Sequence, residues 1–170
     1  MTMVEFRNEP FTDFADPAKA EAMRQALQAV RGRLGRTYPL VIDGERVFTE
    51  RTSVSINPGR VGEVVGVVSQ TDRSIAERAM RAALYAFETW RFVEPSARAG
   101  YLFKAAAVMR RRKFEFIAWL VFEAGKNWAE ADAEVAEAID FLEFYGREAI
   151  RLGEPQPLVA IAGEENRLTY

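Results

Sequence analysis

The residues whose types could do chemistry are concentrated in one stretch. Glu130, Asp132, Glu134, Glu137, Asp140 and Glu143 lie within a segment of helical apolar periodicity, and Glu130, Glu134 and Glu137 fall at i, i+4 and i+7. A helix places these three along one side, an arrangement that carboxylates use for metal binding or acid–base work. A di-iron bundle would also require Glu-x-x-His from a second helix, and the chain contains no His, so no metal ligand is assigned. The absence of Cys removes thiolate nucleophiles, disulfides and thiolate metal sites from these residues, and the absence of both types removes triads and zinc sites. Arg110-Arg-Arg-Lys113 could bind phosphate. Consecutive helical positions nevertheless fan around the axis, so the expected reading is a solvated helix face. Glu123-Ala-Gly-Lys126 lacks the earlier Gly and the following Ser or Thr of a phosphate loop; it reads as a glycine C-cap with Lys at a helix end. No Gly-x-Gly-x-x-Gly occurs, so no cofactor-binding residue is assigned either.

Those side chains need elements to hold them. Asp16-Pro17 marks a helix start, with Met23, Leu27, Val30 and Leu34 at helical spacing, which predicts a first helix over roughly 17–34. Tyr38-Pro-Leu-Val-Ile42, Asp43-Gly44 and Arg46-Val-Phe48 predict a two-stranded hairpin. Val54-Ser-Ile56 and the β-branched run Glu63–Ser69 read as further strands, the second of a buried type. After Thr71-Asp72 the period becomes helical, with Ile75, Ala79, Ala82, Ala83, Ala86, Phe87 and Trp90 on one stripe whose alanines imply close packing. Pro95-Ser96 caps the next helix, expected to run unbroken to Gly125, and Asn127 with Glu130 makes a capping box for a last one reaching about Leu152. Beyond Gly153, Leu158–Ile161 and Arg167–Tyr170 flank a turn and read as a hairpin cut off in its second strand, which suggests truncation. The expected fold class is thus an α+β or α/β fragment: an N-terminal helix, a short β-hairpin and strands, three long helices and a truncated β-hairpin.

A formal charge of −2 gives no general attraction to nucleic acid or to anionic membranes. Met1–Phe14 has no apolar h-region and no run of about 18 apolar residues exists, so a soluble cytoplasmic protein is the expectation.

In order and spacing, Asp43-Gly-Glu45, Ser55-Ile-Asn-Pro58, Gly62-Glu-Val-Val-Gly-Val-Val68, Ala82-Ala-Leu-Tyr-Ala-Phe-Glu-Thr-Trp90, Arg98 with Leu102-Phe-Lys-Ala-Ala-Ala107, and Glu123-Ala-Gly-Lys126 resemble the N-terminal third of aldehyde dehydrogenases. Phe6-Arg-Asn-Glu-Pro10, Met109-Arg-Arg-Arg-Lys113, and Ala133-Glu-Val-Ala-Glu-Ala-Ile-Asp-Phe141 with Phe144-Tyr-Gly146 resemble the 1-pyrroline-5-carboxylate dehydrogenase branch in particular.

The resemblance implies an enzyme of proline catabolism that oxidises L-glutamate γ-semialdehyde, a small-molecule aldehyde, to glutamate with NAD as cofactor. It places the Cys nucleophile, the oxyanion-holding Asn of a Pro-Trp-Asn motif, the water-activating Glu and the cofactor-binding Lys beyond Tyr170, so no catalytic residue lies in this chain and the chain alone should be inactive. It implies that residues 1–152 are the N-terminal portion of the NAD-binding domain and that 153–170 begin an oligomerisation hairpin, hence a homo-oligomer. It also places Ala133 and Glu137 where the family's helix lines the aldehyde tunnel; a carboxylate at 137 would suit the substrate ammonium. The bland alternative for Glu137 is a solvated helix face. The rival for the whole chain is a self-contained helical binding or oligomerisation module without enzyme activity, against which the unfinished hairpin argues.

Overall fold

A computed structural model describes residues 5–153; the expected hairpin from Pro157 to Tyr170 lies outside them. Helix α1 (Pro17–Arg31) begins as its sequence dictates, with Asp16 accepting a hydrogen bond from Ala18 N at 2.8 Å and Pro17 in the first helical position. It ends three residues before the expected Leu34. There the chain turns through Gly35, whose φ of 75° suits a residue without Cβ, and Gly35 N bonds to Val65 O.

Pro39 divides the expected strand over 38–42. Without an N–H it cannot continue a ladder, so β1 (Arg36–Tyr38) pairs parallel with β5 (Val64–Ser69), while β2 (Leu40–Ile42) pairs antiparallel with β3 (Glu45–Val47). The Asp43-Gly44 turn has positive φ at both positions, 52° and 76°, as a type I′ hairpin requires. Strand β4 (Thr52–Ile56) closes the other side of β5, giving the order β1-β5-β4. Val65 and Gly66 in this central strand are buried, whereas Val64 and Val68 remain open to solvent.

Helix α2 (Arg73–Trp90) is capped by Asp72, which accepts from Ile75 N at 2.8 Å. The close packing expected of its alanine stripe is not found among the described residues. Ile75, Ala79 and Ala82 are half-covered, and Ala83, Ala86, Phe87 and Trp90 are exposed.

The helix expected from Pro95 to Gly125 is two: α3 (Pro95–Arg111) and α4 (Lys113–Ala124), separated at Arg112 with φ −107° and ψ 20°. Pro95 occupies the first turn of α3, but the N-cap is Glu94 and makes no side-chain cap bond, so Ser96 is not the cap. Gly125 closes α4 at φ 67° with Pro58 Cγ only 2.9 Å from where a Cβ would stand, so conformation and space both call for glycine. Helix α5 (Trp128–Gly153) starts on the expected capping box: Asn127 Oδ1 accepts from Glu130 N at 3.0 Å, and Glu130 Oε2 accepts from Asn127 N at 3.4 Å.

The core lies where α1, β5, α3, α4 and α5 meet, built from Met23, Val30, Val65, Ala106, Ile117 and Ile139 among others. Helix α5 lies against both α3 and α4, and α1 against α4. Gly146 permits the close approach of α3, since a Cβ there would stand 2.5 Å from the Phe103 ring.

Candidate functional site

The acidic helix is sorted by packing into three kinds of carboxylate. Asp132 is 1% exposed and faces inward. It accepts from Thr12 N at 2.7 Å and Thr12 Oγ1 at 2.6 Å, and pairs with Lys113 Nζ at 2.9 Å. Asp140 accepts from Asn8 Nδ2 and Glu9 N, both at 2.7 Å. Glu143 bonds to Arg147 at 2.7 Å and Arg110 at 3.1 Å; burial raises its pKa, the two guanidiniums outweigh burial, and the carboxyl titrates below its ordinary range.

Glu130, Glu134 and Glu137 share the exposed side of α5, as their spacing requires. Glu130 belongs to the capping box and Glu134 pairs with Lys126. Glu137 makes no hydrogen bond or ion pair among the described residues. One turn before it stands half-buried Ala133; one and two turns after it stand Phe141 and Tyr145, both more than half exposed. Phe141 and Tyr145 pack against each other at 6.0 Å between ring centroids and, with Leu102, Met109, Ala138 and Leu142, line an apolar groove of about 360 Å³ between α3 and α5. A single unpaired carboxylate beside an apolar aromatic wall suits a ligand with one cationic group on a short carbon chain.

Arg110, Arg111 and Arg112 are exposed, as expected of a solvated helix face, whereas Lys113 is half-buried. The break at Arg112 directs its members differently: Lys113 turns inward to Asp132, Arg110 pairs with Glu9 at 2.6 Å and with Glu143, and Arg112 pairs with Glu115 at 2.8 Å. Arg110 and Lys113 thereby hold elements together, and the three paired cations are not gathered for a phosphate. Among the described residues no group of three or more His, Cys, Asp or Glu is placed to hold a metal ion, and no helix is long and apolar enough to cross a membrane. The resemblance named Ala133 and Glu137 as site residues and did not name Phe141 and Tyr145, which lie on the same side of the helix at i+4 and i+8 from Glu137.

Residues 47–170 match the aldehyde dehydrogenase family. Over 165 residues the chain is 54% identical to 1-pyrroline-5-carboxylate dehydrogenase of Geobacillus kaustophilus, covering 97% of this chain and 32% of that protein. Against the enzyme of the same name from Bacillus subtilis it is 50% identical over 167 residues, covering 98% and 32%. The fold superimposes on the Thermus 1-pyrroline-5-carboxylate dehydrogenase with bound NAD at a TM-score of 0.86 and 51% identity, over 89% of this chain and 29% of that one. It also superimposes on proline utilization A from Bdellovibrio bacteriovorus at 0.89 and 36% identity, over 92% and 16%. The chain spans about a third of the length of the curated relatives it matches.

Proposed function

Since the chain belongs to the aldehyde dehydrogenase family, we propose that it is the N-terminal part of an NAD-dependent enzyme that oxidises L-glutamate γ-semialdehyde to glutamate. Support for the substrate comes from the high identity to 1-pyrroline-5-carboxylate dehydrogenases and from Glu137, the one carboxylate of its row left without a partner among the described residues. In this reading Glu137 holds the substrate ammonium and Ala133 leaves room for the aldehyde chain to pass. Phe141 and Tyr145 form the apolar wall.

NAD accepts the hydride in the intact enzyme. The sequence has no glycine-rich loop, and Arg110, Arg112 and Lys113 of the basic run are engaged in ion pairs. Residues 1–152 therefore serve as scaffold for the NAD-binding domain and as one side of the tunnel, and 153–170 as the start of an oligomerisation hairpin. The chain alone, lacking Cys, turns over no aldehyde with NAD. The intact enzyme is a cytoplasmic homo-oligomer.

The test uses the intact enzyme. Glu137→Gln should lower kcat/KM for glutamate semialdehyde by about one to two decades, the size of a lost charge-assisted contact of roughly 1.5–3 kcal/mol. An aldehyde of the same length without the amino group should lose less than about twofold, as for a surface substitution. Equal effects on the two aldehydes would remove the ammonium contact from the reading.

A further inference from the structure

The N-terminal segment over residues 6–14 contains neither helix nor strand, yet it is tied to α5 along most of that helix and runs in the opposite direction. Phe6 rests edge-on against Phe144, centroids 5.7 Å apart and planes at 80°. Asn8 and Glu9 meet Asp140, Thr12 meets Asp132, and Phe14 packs on Trp128 at 5.4 Å. The partners on α5, at 144, 140, 132 and 128, are spaced by four, eight and four, so they form one stripe. From 128 to 144 a helix rises roughly 24 Å, and eight residues of extended chain reach roughly 26 Å, so the two lengths match without slack. Lys113 crosses above this stripe, donating to Pro10 O at 3.0 Å while paired with Asp132.

The stripe borders the face that carries Glu137. Asp132 and Asp140 bracket that residue in sequence, and the ring contacts continue from the strap onto its side of the helix. Phe144 meets Tyr145 edge-on at 5.4 Å, and Tyr145 meets Phe141, one turn from Glu137. The Arg147 guanidinium lies 6.0 Å from the Phe6 centroid and so fixes Phe6 from a second direction. Exposed rings on a helix exchange rotamers unless neighbours hold them; Leu102 and Met109 of α3 border the groove beside Phe141 and Tyr145, and Phe6 is the ring supplied from outside the helix against Phe144. We propose that the strap is a positioning element for the substrate-facing side of α5, with Phe6 as the positioning residue that holds the Phe144, Tyr145 and Phe141 rings in the arrangement the ligand meets. This rests on the reading of that face as part of the aldehyde tunnel. The polar ties at Asp132 and Asp140 hold the strap in place; Phe6 passes its order to the rings.

The experiment compares Phe6→Ala, Phe6→Leu and Phe6→Tyr in the intact enzyme, with Glu137→Gln measured alongside. Phe6→Ala should raise KM for glutamate semialdehyde about three- to tenfold, the range expected for one lost ring–ring contact, with kcat within about twofold. Phe6→Leu keeps apolar burial but loses the ring edge, so it should show the same rise and covers the case in which Phe6→Ala fails to fold. Phe6→Tyr should restore the wild-type KM. If Phe6→Leu lowers Tm yet leaves KM unchanged, the strap is structural only and the inference is overturned. If Glu137→Gln is silent while Phe6→Leu still shifts KM, the strap orders this face and only the ammonium contact fails. If both are silent in KM, the proposal and the tunnel reading fall together.

Discussion

Helices α2 and α5 are both amphipathic and both well capped, but they end in opposite circumstances. Helix α5 buries Ala131, Asp132, Val135, Ala136, Ile139 and Gly146, and is gripped by α3, α4 and the N-terminal strap. Helix α2 has no buried residue; among the described residues it meets the β2–β3 hairpin, to which Arg78 is tied through Glu45, and at its C-terminal end Trp90 packs on Tyr101 of α3 at 5.6 Å, while Met80, Leu84 and Tyr85 stay in solvent. Apolar periodicity states that a helix has a face to bury, and nothing in it says whether the covering partner lies in the same stretch of chain. The part of the molecule that bears Glu137 is accordingly self-supporting among these residues, and the part that bears α2 is not.

The sharpest way to break this comparison is at Asp132. Asp132→Ala leaves the Lys113 ammonium, whose side chain is 12% exposed, without its carboxylate counter-charge, and removes the acceptor of Thr12 N. Breaking a buried pair from one side costs about 3–5 kcal/mol, a large part of the roughly 5–15 kcal/mol that holds a domain folded. The urea midpoint should fall accordingly. Glu134→Ala, an exposed carboxylate on the same helix, should cost less than about 1 kcal/mol. A loss at Asp132 no greater than at Glu134 would mean that the strap is not anchored as described.

A smaller effect is expected at Glu115, which ties α4 to the turn after α1. Its carboxylate accepts from Arg112 at 2.8 Å and from Arg33 at 2.6 Å; Arg112 and then Arg33 hold its pKa down to about 2, against burial, from an ordinary 4.5. A depressed carboxylate stabilises the fold at pH values above its unfolded pKa, and that stabilisation is lost as pH falls from about 4.5 toward 2. The pair is partly exposed, so the contribution is on the order of 1–2 kcal/mol after screening. Stability measured against pH should rise less steeply across this window for Glu115→Gln than for the parent. Identical slopes would remove Glu115 from the acid response.

What could be read beforehand and what could not divide along the same line. Caps and turns are local, so Asp16-Pro17, Asp43-Gly44, Asp72, Gly125 and the Asn127–Glu130 box are legible from a few adjacent residues. The break at Arg112 carries no Gly or Pro and continues the helical period on both sides, so periodicity passes over it. The division of the 38–42 strand carried a signal in Pro39. Asp132 also carried one: Val135, Ala136 and Ile139, at i+3, i+4 and i+7, are apolar, so a helix that buries them buries Asp132 too. Its partners Thr12 and Lys113 are distant in sequence, and no local pattern joins them. Ala133 and Glu137 are placed by resemblance alone, and that Glu137 lacks a partner among the described residues depends on side-chain geometry that no local pattern encodes.

The smallest effect on stability belongs to α2 and sharpens the contrast from the other side. Leu84 is 58% exposed and Tyr85 82% exposed, both beside the apolar stripe, with no covering element among the described residues. Substituting an exposed side chain away from special features changes folding free energy by under about 0.5 kcal/mol, so Leu84→Ser with Tyr85→Ser should leave the urea midpoint of the chain nearly unchanged. Association should respond differently. A contiguous apolar patch draws molecules together, and the paired change should lower hydrophobic-dye binding and light scattering at a given concentration. Because the two readouts are expected to diverge, the experiment separates an open face from a packed one. A midpoint loss above about 1 kcal/mol, beyond the range of surface substitutions, would show that Leu84 and Tyr85 already pack on part of this chain, and α2 would then belong with α5 among the self-supported elements.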